Sequence, residues 1–414
     1  MNDEDLPSNN LQDYGYVERD LSGRDMRNLD LSYKPFMRST MRDVRLSKSN
    51  LHSSDLSAAD LYGADLYHAD LTNAHLKDAS LENTNLMEAD LSHAYLVGAC
   101  LAQSNLYRSK FGGSDLSQTD FGSGPNFEGA SFIRVALSKQ NLSKANCRTT
   151  KFRSSHLQGV DFRGADLSGA DFTNADLAGA NLCGAKLDET VFSGANLSYT
   201  NFFQCDLSKV KGLDGTNFNH ANLSKATLRN CELIGNNFSD ANLTHADLSR
   251  SDIQNADFQN AILNGALLSY SDASDAIFLR AELHSADFRG AVLRNVNFWN
   301  TDLRTAQLQN SQLDGAKMRR ARLSVSQLRE CDLSMIDLHG MNFSNSEMSD
   351  FSFRDLDLHD AQFVGSTLVN IDFTRSKLHR ADFSRARLIN CIFTKSYRFM
   401  AEFQDSDMQN CIFD

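Results

Sequence analysis

From residue 21 onward, every fifth residue of this 414-residue chain is apolar. The series opens at Leu21, Met26, Leu31, Phe36 and Met41 and runs to Leu116 and Phe121. It slips by one residue, resumes at Phe127, runs to Leu207, slips again at Leu213 and continues to Phe413. Leu, Phe, Met or Ile fills every such position except Cys147, Ala273 and Arg398. Two residues before each central position stands a small residue, usually Ala, Ser, Thr or Cys, and the residue between them is often Asp or Asn. The plainest units are Ala-Asp-Leu at 59–61, 64–66 and 69–71. A period of five fits neither the 3.6 of a helix nor the 2 of a strand. A chain that must bury one large and one small residue in every five does so by coiling about an axis, each layer hydrogen-bonding to the next. That is a solenoid.

These units resemble the pentapeptide-repeat family, and the resemblance covers residues 21–414. It implies an all-β fold, a right-handed quadrilateral β-helix with four five-residue sides per coil. About 20 four-sided coils follow, a rod on the order of 95 Å long at a strand spacing of roughly 4.8 Å. The expected organisation is an N-terminal segment or cap at 1–20, then a single β-helix over 21–414. The one-residue slips near 122–126 and 208–212 read as bulges at corners.

Three Pro, one Trp and no stretch of helical periodicity leave no place for a second kind of domain. Among the eight cysteines, Cys205, Cys231, Cys331, Cys391 and Cys411 occupy the small inward position, Cys147 the large one, and Cys100 and Cys183 point outward. None has disulfide or zinc spacing, which favours a reducing compartment. Met1–Glu18 has neither a basic start nor an apolar run, and no segment reaches a membrane span, so a cytoplasmic protein is expected. Between 336 and 371 the small position becomes large (Ile336, Met341, Phe351, Leu356, Ile371), which predicts local widening. Arg398 at a central position predicts a local loss of register, with Phe399 turned inward.

With the interior committed to packing, function falls to the outward residues. Those twenty apart stack in columns, and one column reads Leu279, Trp299, Arg319, His339, His359, His379, Phe399. His339, His359 and His379 with Asp337, Asp357 and Asp360 alongside are ligand types for a divalent metal, although stacked rings also pack in solenoids without one. Ile262, Leu267, Ile277, Leu279, Val292, Trp299 and Arg319 mark 262–300 and its flank as the expected partner surface. Ile389, Ile392 and Ile412 are outward and apolar near the C-terminal end of the sequence, and predict homodimerisation there.

No glycine-rich phosphate loop breaks the period, and Ser, His and Asp adjacency on such a surface is unavoidable, so no catalysis and no cofactor are expected. The net charge of −12 argues against direct nucleic-acid binding. The family resemblance raises an alternative, since some members mimic DNA and protect DNA gyrase or topoisomerase IV. An acidic band at 49–121, including Asp60, Asp65, Asp70 and Asp90, suits that role, but 134–163 is basic. A bacterial effector is the other family-level alternative. The preferred reading is a rigid, non-enzymatic scaffold that binds a protein partner.

Overall fold

The computed structural model describes residues 16–323 and 336–414. Residues 1–15 and Cys331 therefore lie outside the described residues. The chain divides into two compact units, Met1–Ala195 and Asn196–Asp414. No described residue is helical.

The five-residue unit at 61–65 shows why the period holds. Leu61 N–H donates to Ser80 O (2.7 Å) and Gly63 N–H to Glu82 O (3.0 Å) in the next coil, while Asp65 N–H donates back to Val44 O (2.9 Å). Ala64 N–H closes a turn onto Leu61 O (3.0 Å). The remaining donor, Tyr62 N–H, is met by Asp60 Oδ1 (3.2 Å). Every backbone N–H of the unit is thus paired, as buried or half-buried backbone requires. The second turn residue has positive φ, as at Gly63 (69°) and His68 (57°), which identifies type II turns.

Parallel bridges accordingly join residues twenty apart, as in Asp20↔Thr40↔Asp60↔Ser80 in the first unit and Asp257↔Ile277↔Asn297↔Lys317↔Asp337↔Asp357 in the second. Each slip changes the separation to twenty-one for one coil. Asn105↔Asn126 and Lys110↔Ser131 span the first, and Asn196↔Asn217 and Asn201↔Asn222 the second. Pairing at twenty resumes at once (Asn126↔Asn146, Asn217↔Asn237), so a corner bulge absorbs each insertion.

The interior is built of stacked rings and aliphatics. Phe218, Phe238, Phe258, Phe278 and Phe298 stack with successive centroids 5.1, 4.9, 4.8 and 5.3 Å apart. Inward hydroxyls at the small position bond back to the turn carbonyl, as Ser271 Oγ donates to Leu268 O (2.7 Å) and Thr301 Oγ1 to Phe298 O (2.6 Å), while Ser54 Oγ is buried without a partner. The bulky residues Ile336, Met341, Phe351, Leu356 and Ile371 are all buried. Here lie the longest strands, β1 (Glu347–Ser352) and β2 (Thr367–Asp372), followed by β3 (Arg387–Ile389) and β4 (Asp407–Gln409) in one parallel sheet. In β1 and β2 strand pairing continues through what is elsewhere a corner, which is how the fold takes in Phe351 and Ile371.

Two expectations need correction. The repeat is already present at Tyr16, inside the segment expected to precede it: its ring is buried and stacked on Phe36 at 4.6 Å, and Arg19 N–H closes the usual turn onto Tyr16 O (3.3 Å). Register also survives Arg398. Lys377↔Tyr397 pair as usual, Arg398 lies over Phe413 at 5.1 Å and bonds Asp414 Oδ1 at 2.9 Å, and Phe399 is 68% exposed, stacked on His379. An arginine holds a central position because its guanidinium lies over a ring and also finds a carboxylate.

Phe258→Ala is expected to destabilise the protein by about 3–5 kcal/mol, since it empties the middle of a closed ring stack; denaturant unfolding measures it. Asn236 is fully buried at a small inward position with neither side-chain polar atom paired. Asn236→Ser, which allows the hydroxyl-to-carbonyl bond seen at Ser271, is expected to raise stability by about 1 kcal/mol.

Candidate binding faces and histidine ladder

Where the residue before a central position is Asp or Asn, it caps the turn. Asp65 Oδ1 accepts from Tyr67 N–H (3.2 Å), Asp70 Oδ1 from Thr72 N–H (2.9 Å) and Asp90 Oδ1 from Ser92 N–H (3.0 Å), as Asp60 does from Tyr62. These are Asx turns, in which the carboxylate replaces a backbone acceptor. The acidic band is further neutralised, since Arg42 Nε lies 2.6 Å from Asp60 Oδ2 and Lys110 Nζ 3.1 Å from Asp90 Oδ2. Asp70 and Asp90 share one ladder, whereas Asp60 and Asp65 sit on two others. The band is a half-buried girdle of caps.

These contacts shift titration. The Arg163 guanidinium beside Asp161 and that of Arg304 beside Asp302 hold both carboxyls below the usual range. At Asp90 burial alone would push the carboxyl up, but its bonds from Ser92 and Lys110 outweigh that and leave it lowered. Burial pushes the Cys231 thiol up to about 12 and Cys391 to about 11, which makes both inert packing groups.

In the second unit several capping positions lack an acceptor, at Lys317, Arg322, Lys377 and Ile392 as well as at four aliphatic residues between 262 and 292. Ile262, Leu267, Ile277 and Val292 stand where Asp or Asn belongs and offer no acceptor to the amides of Asn264, Ser269, Leu279 and Arg294. Each lies on a different ladder between polar neighbours, as in Asn242↔Ile262↔Glu282 and Asp272↔Val292↔Gln312. The structure therefore does not gather all of 262–300 into one surface. It brings together Ile277 (36% exposed), half-buried Leu279 and Trp299 (39% exposed), with the Arg319 guanidinium 5.2 Å over the indole. Leu267 is 42% exposed but belongs to another side.

Below this cluster the histidine column is real. His339 and His359 stack at 5.0 Å, and His359 and His379 lie 4.5 Å apart and tilted. The ligand atoms that converge are those of His339, His359 and Asp360, all within 4.8 Å of one another. Asp337 and Asp357 do not join them: each caps the amide of the next histidine (2.9 and 3.2 Å), and Asp357 also holds Lys377 at 3.1 Å. His379 is likewise outside the set. Of the residues expected at a dimer contact, Ile389 and Ile392 are half-buried and Ile412 is 55% exposed.

Two clusters escaped the sequence reading. Tyr199 stacks on His220 at 4.6 Å, hidden because the second slip spaces them by twenty-one. His68 Nε2 meets Glu88 Oε2 at 2.7 Å, with Arg108 3.9 Å from the other oxygen; all three follow the period of twenty and were findable by it.

A family model of pentapeptide repeats in eight copies matches residues 39–78, 64–103, 84–122, 251–290, 286–324 and 357–394. A second, of a pentapeptide repeat region, matches 125–202 and 191–258. No curated protein matches the chain. Similar solved structures include HetL, a pentapeptide repeat protein involved in heterocyst differentiation regulation from the cyanobacterium Nostoc sp. strain PCC 7120. It is 27% identical, with 66% of this chain and 91% of that one covered, at a TM-score of 0.21. QnrB1, a plasmid-mediated fluoroquinolone resistance protein, is 21% identical, with 50% and 92% covered, at 0.32. Rfr23, a pentapeptide repeat protein from the cyanobacterium Cyanothece 51142, is 26% identical, with 27% and 83% covered, at 0.21.

Because the folded pKa values of Asp90, Asp161 and Asp302 are lowered, the stability they contribute is complete above the unfolded value of about 3.9 and is lost as pH falls through the lower folded values. Thermal midpoints are expected to hold between neutral pH and about pH 4 and to drop below it. Ile277→Asn supplies the missing cap to Leu279 N–H, and is expected to stabilise by about 0.5–1 kcal/mol; a lower melting midpoint would refute the capping argument.

Proposed function

We propose, for a chain that belongs to the pentapeptide-repeat family of right-handed β-helices, that it serves as a non-enzymatic scaffold that binds a protein partner through one side of its second unit. In this reading, four turns in each twenty residues make a quadrilateral section, and the repeats amount to about 20 coils. The observation that carries the proposal is the cluster of Ile277, Leu279, Trp299 and Arg319. An exposed indole under a guanidinium, flanked by aliphatics, has the composition of a binding hot spot. Its place in the repeat supports the same view. Ile277 occupies a capping position with an aliphatic side chain and extends the apolar surface beside the exposed indole.

Two other roles have less support. A DNA mimic for gyrase or topoisomerase IV needs free anionic charge, whereas Asp60, Asp65, Asp70 and Asp90 are engaged as caps, and two of them face cations. An effector role rests on family analogy alone. Cysteines without disulfides among the described residues suit a reducing cytoplasm, and the exposure of Ile412 is the feature that favours self-association, which light scattering tests directly.

Affinity capture with the purified chain beside the Leu279→Ser/Trp299→Ser double variant tests the scaffold. The variant is expected to lose at least about 2 kcal/mol, roughly thirtyfold, in affinity for the partner that the wild type recovers. Equal recovery of a topoisomerase by both proteins, abolished by neutralising Asp60, Asp65 and Asp70, would replace the scaffold reading with mimicry.

A further inference from the structure

We propose that His339, His359 and Asp360 form a binding site for one divalent transition-metal ion, zinc by ligand type, that ties two successive coils together. His339 Nε2 and His359 Nε2 each lie 3.6 Å from the same atom, Asp360 Oδ2. A tetrahedral zinc site with bonds of about 2.1 Å has ligand-to-ligand edges of about 3.4 Å. The two edges to Asp360 therefore need only a few tenths of an ångström of adjustment, and the edge between the two imidazoles, within 4.8 Å, closes by tilting of the rings. Two imidazoles and one carboxylate make a donor set that zinc takes, with a fourth position left for water or a donor from elsewhere.

Three features of the chain hold this arrangement ready. The histidine backbones are pinned by the Asp337 and Asp357 caps at 2.9 and 3.2 Å, so both rings leave the same side at the same height in successive coils. Asp360 occupies the second turn position with φ of 58°, and the corresponding residue one coil earlier is Gly340. No side chain at 340 stands between the Asp360 carboxylate and His339. Arg380 Nε then holds the other carboxylate oxygen, Oδ1, at 3.0 Å, which aims Oδ2 at the rings. Such outer contacts orient metal ligands and are worth about tenfold or more in affinity. All three ligands are half-buried, which shields the site while leaving it open to an ion. A ladder kept only for ring stacking would need neither the shared carboxylate nor the arginine behind it.

Zinc chloride titrated into the full chain by calorimetry, with accessible thiols first blocked by alkylation, is expected to give one ion per chain. Cobalt chloride is expected to give the absorption bands of a four-coordinate site. His359→Ala and Asp360→Asn are expected to lower affinity at least about tenfold, while His379→Ala, which removes a stacked ring but no ligand, leaves it unchanged. Asp360→Asn leaves both rings in place, so it decides the matter even if loss of His359 loosens the coil. Absence of binding by the wild type, or binding that Asp360→Asn leaves intact, would overturn the proposal.

Discussion

Pairing of backbone groups between residues twenty apart is the constraint on which everything else in this protein depends. In the unit at 61–65, three of the amides reach neighbouring coils, a fourth closes the turn, and only Tyr62 N–H must look to a side chain. This one donor explains the Asp or Asn that precedes so many central residues. It explains as well why the spacing is kept so strictly, because a shift of one residue along the whole chain would move every amide off its acceptor. The slips obey the same rule. Each inserted residue is confined to one coil at separation twenty-one, after which Asn126↔Asn146 and Asn217↔Asn237 restore the ladder.

The interior follows from that spacing. Residues at the same height in successive coils are stacked at ring-contact distance, so a phenylalanine favours another phenylalanine twenty residues on. Phe343, Phe363, Phe383 and Phe403 form one such column, with Phe353, Phe373, Phe393 and Phe413 beside it in edge-to-face contact. Coils touch only their neighbours. A residue such as Phe351 can therefore be accommodated where it occurs, by pairing through the corner of β1, without any change to coils farther along.

The period of five and its two slips were legible because they describe burial, which the apolar pattern records directly. Tyr16 was missed because a tyrosine stands where Leu, Phe, Met or Ile marks the period, yet its ring packs on Phe36 as any central residue would. Arg398 misled for the opposite reason, since a charge at a central position looks like a break until Phe413 and Asp414 are seen to receive it. The column arithmetic placed Trp299 under Arg319 and the histidines in a stack. It left open which of Asp337, Asp357 and Asp360 faces the rings, because that depends on where the turn directs each carboxylate. Asp337 and Asp357 are turned to the amides they cap, whereas Asp360 at the second turn position meets both imidazoles.

The same geometry bears on how charge is to be read in a repeat of this kind. On a single ladder Asn50, Asp70 and Asp90 succeed one another, and on the next Asp65, Asn85 and Asn105 do. Asn85 and Asn105 accept the amides of Met87 and Tyr107 just as Asp70 and Asp90 accept theirs, so either side chain satisfies the turn. Much of the net charge of −12 therefore records a choice between two equivalent caps. A functional signal has to be sought where the repeat forgoes its own stabilisation. Ile277 offers no cap beside an exposed tryptophan, and Asp360, at a turn position that Asp43, Asp78 and Asp350 also occupy with positive φ, carries its carboxylate to two imidazoles. Neither choice is required by the coil.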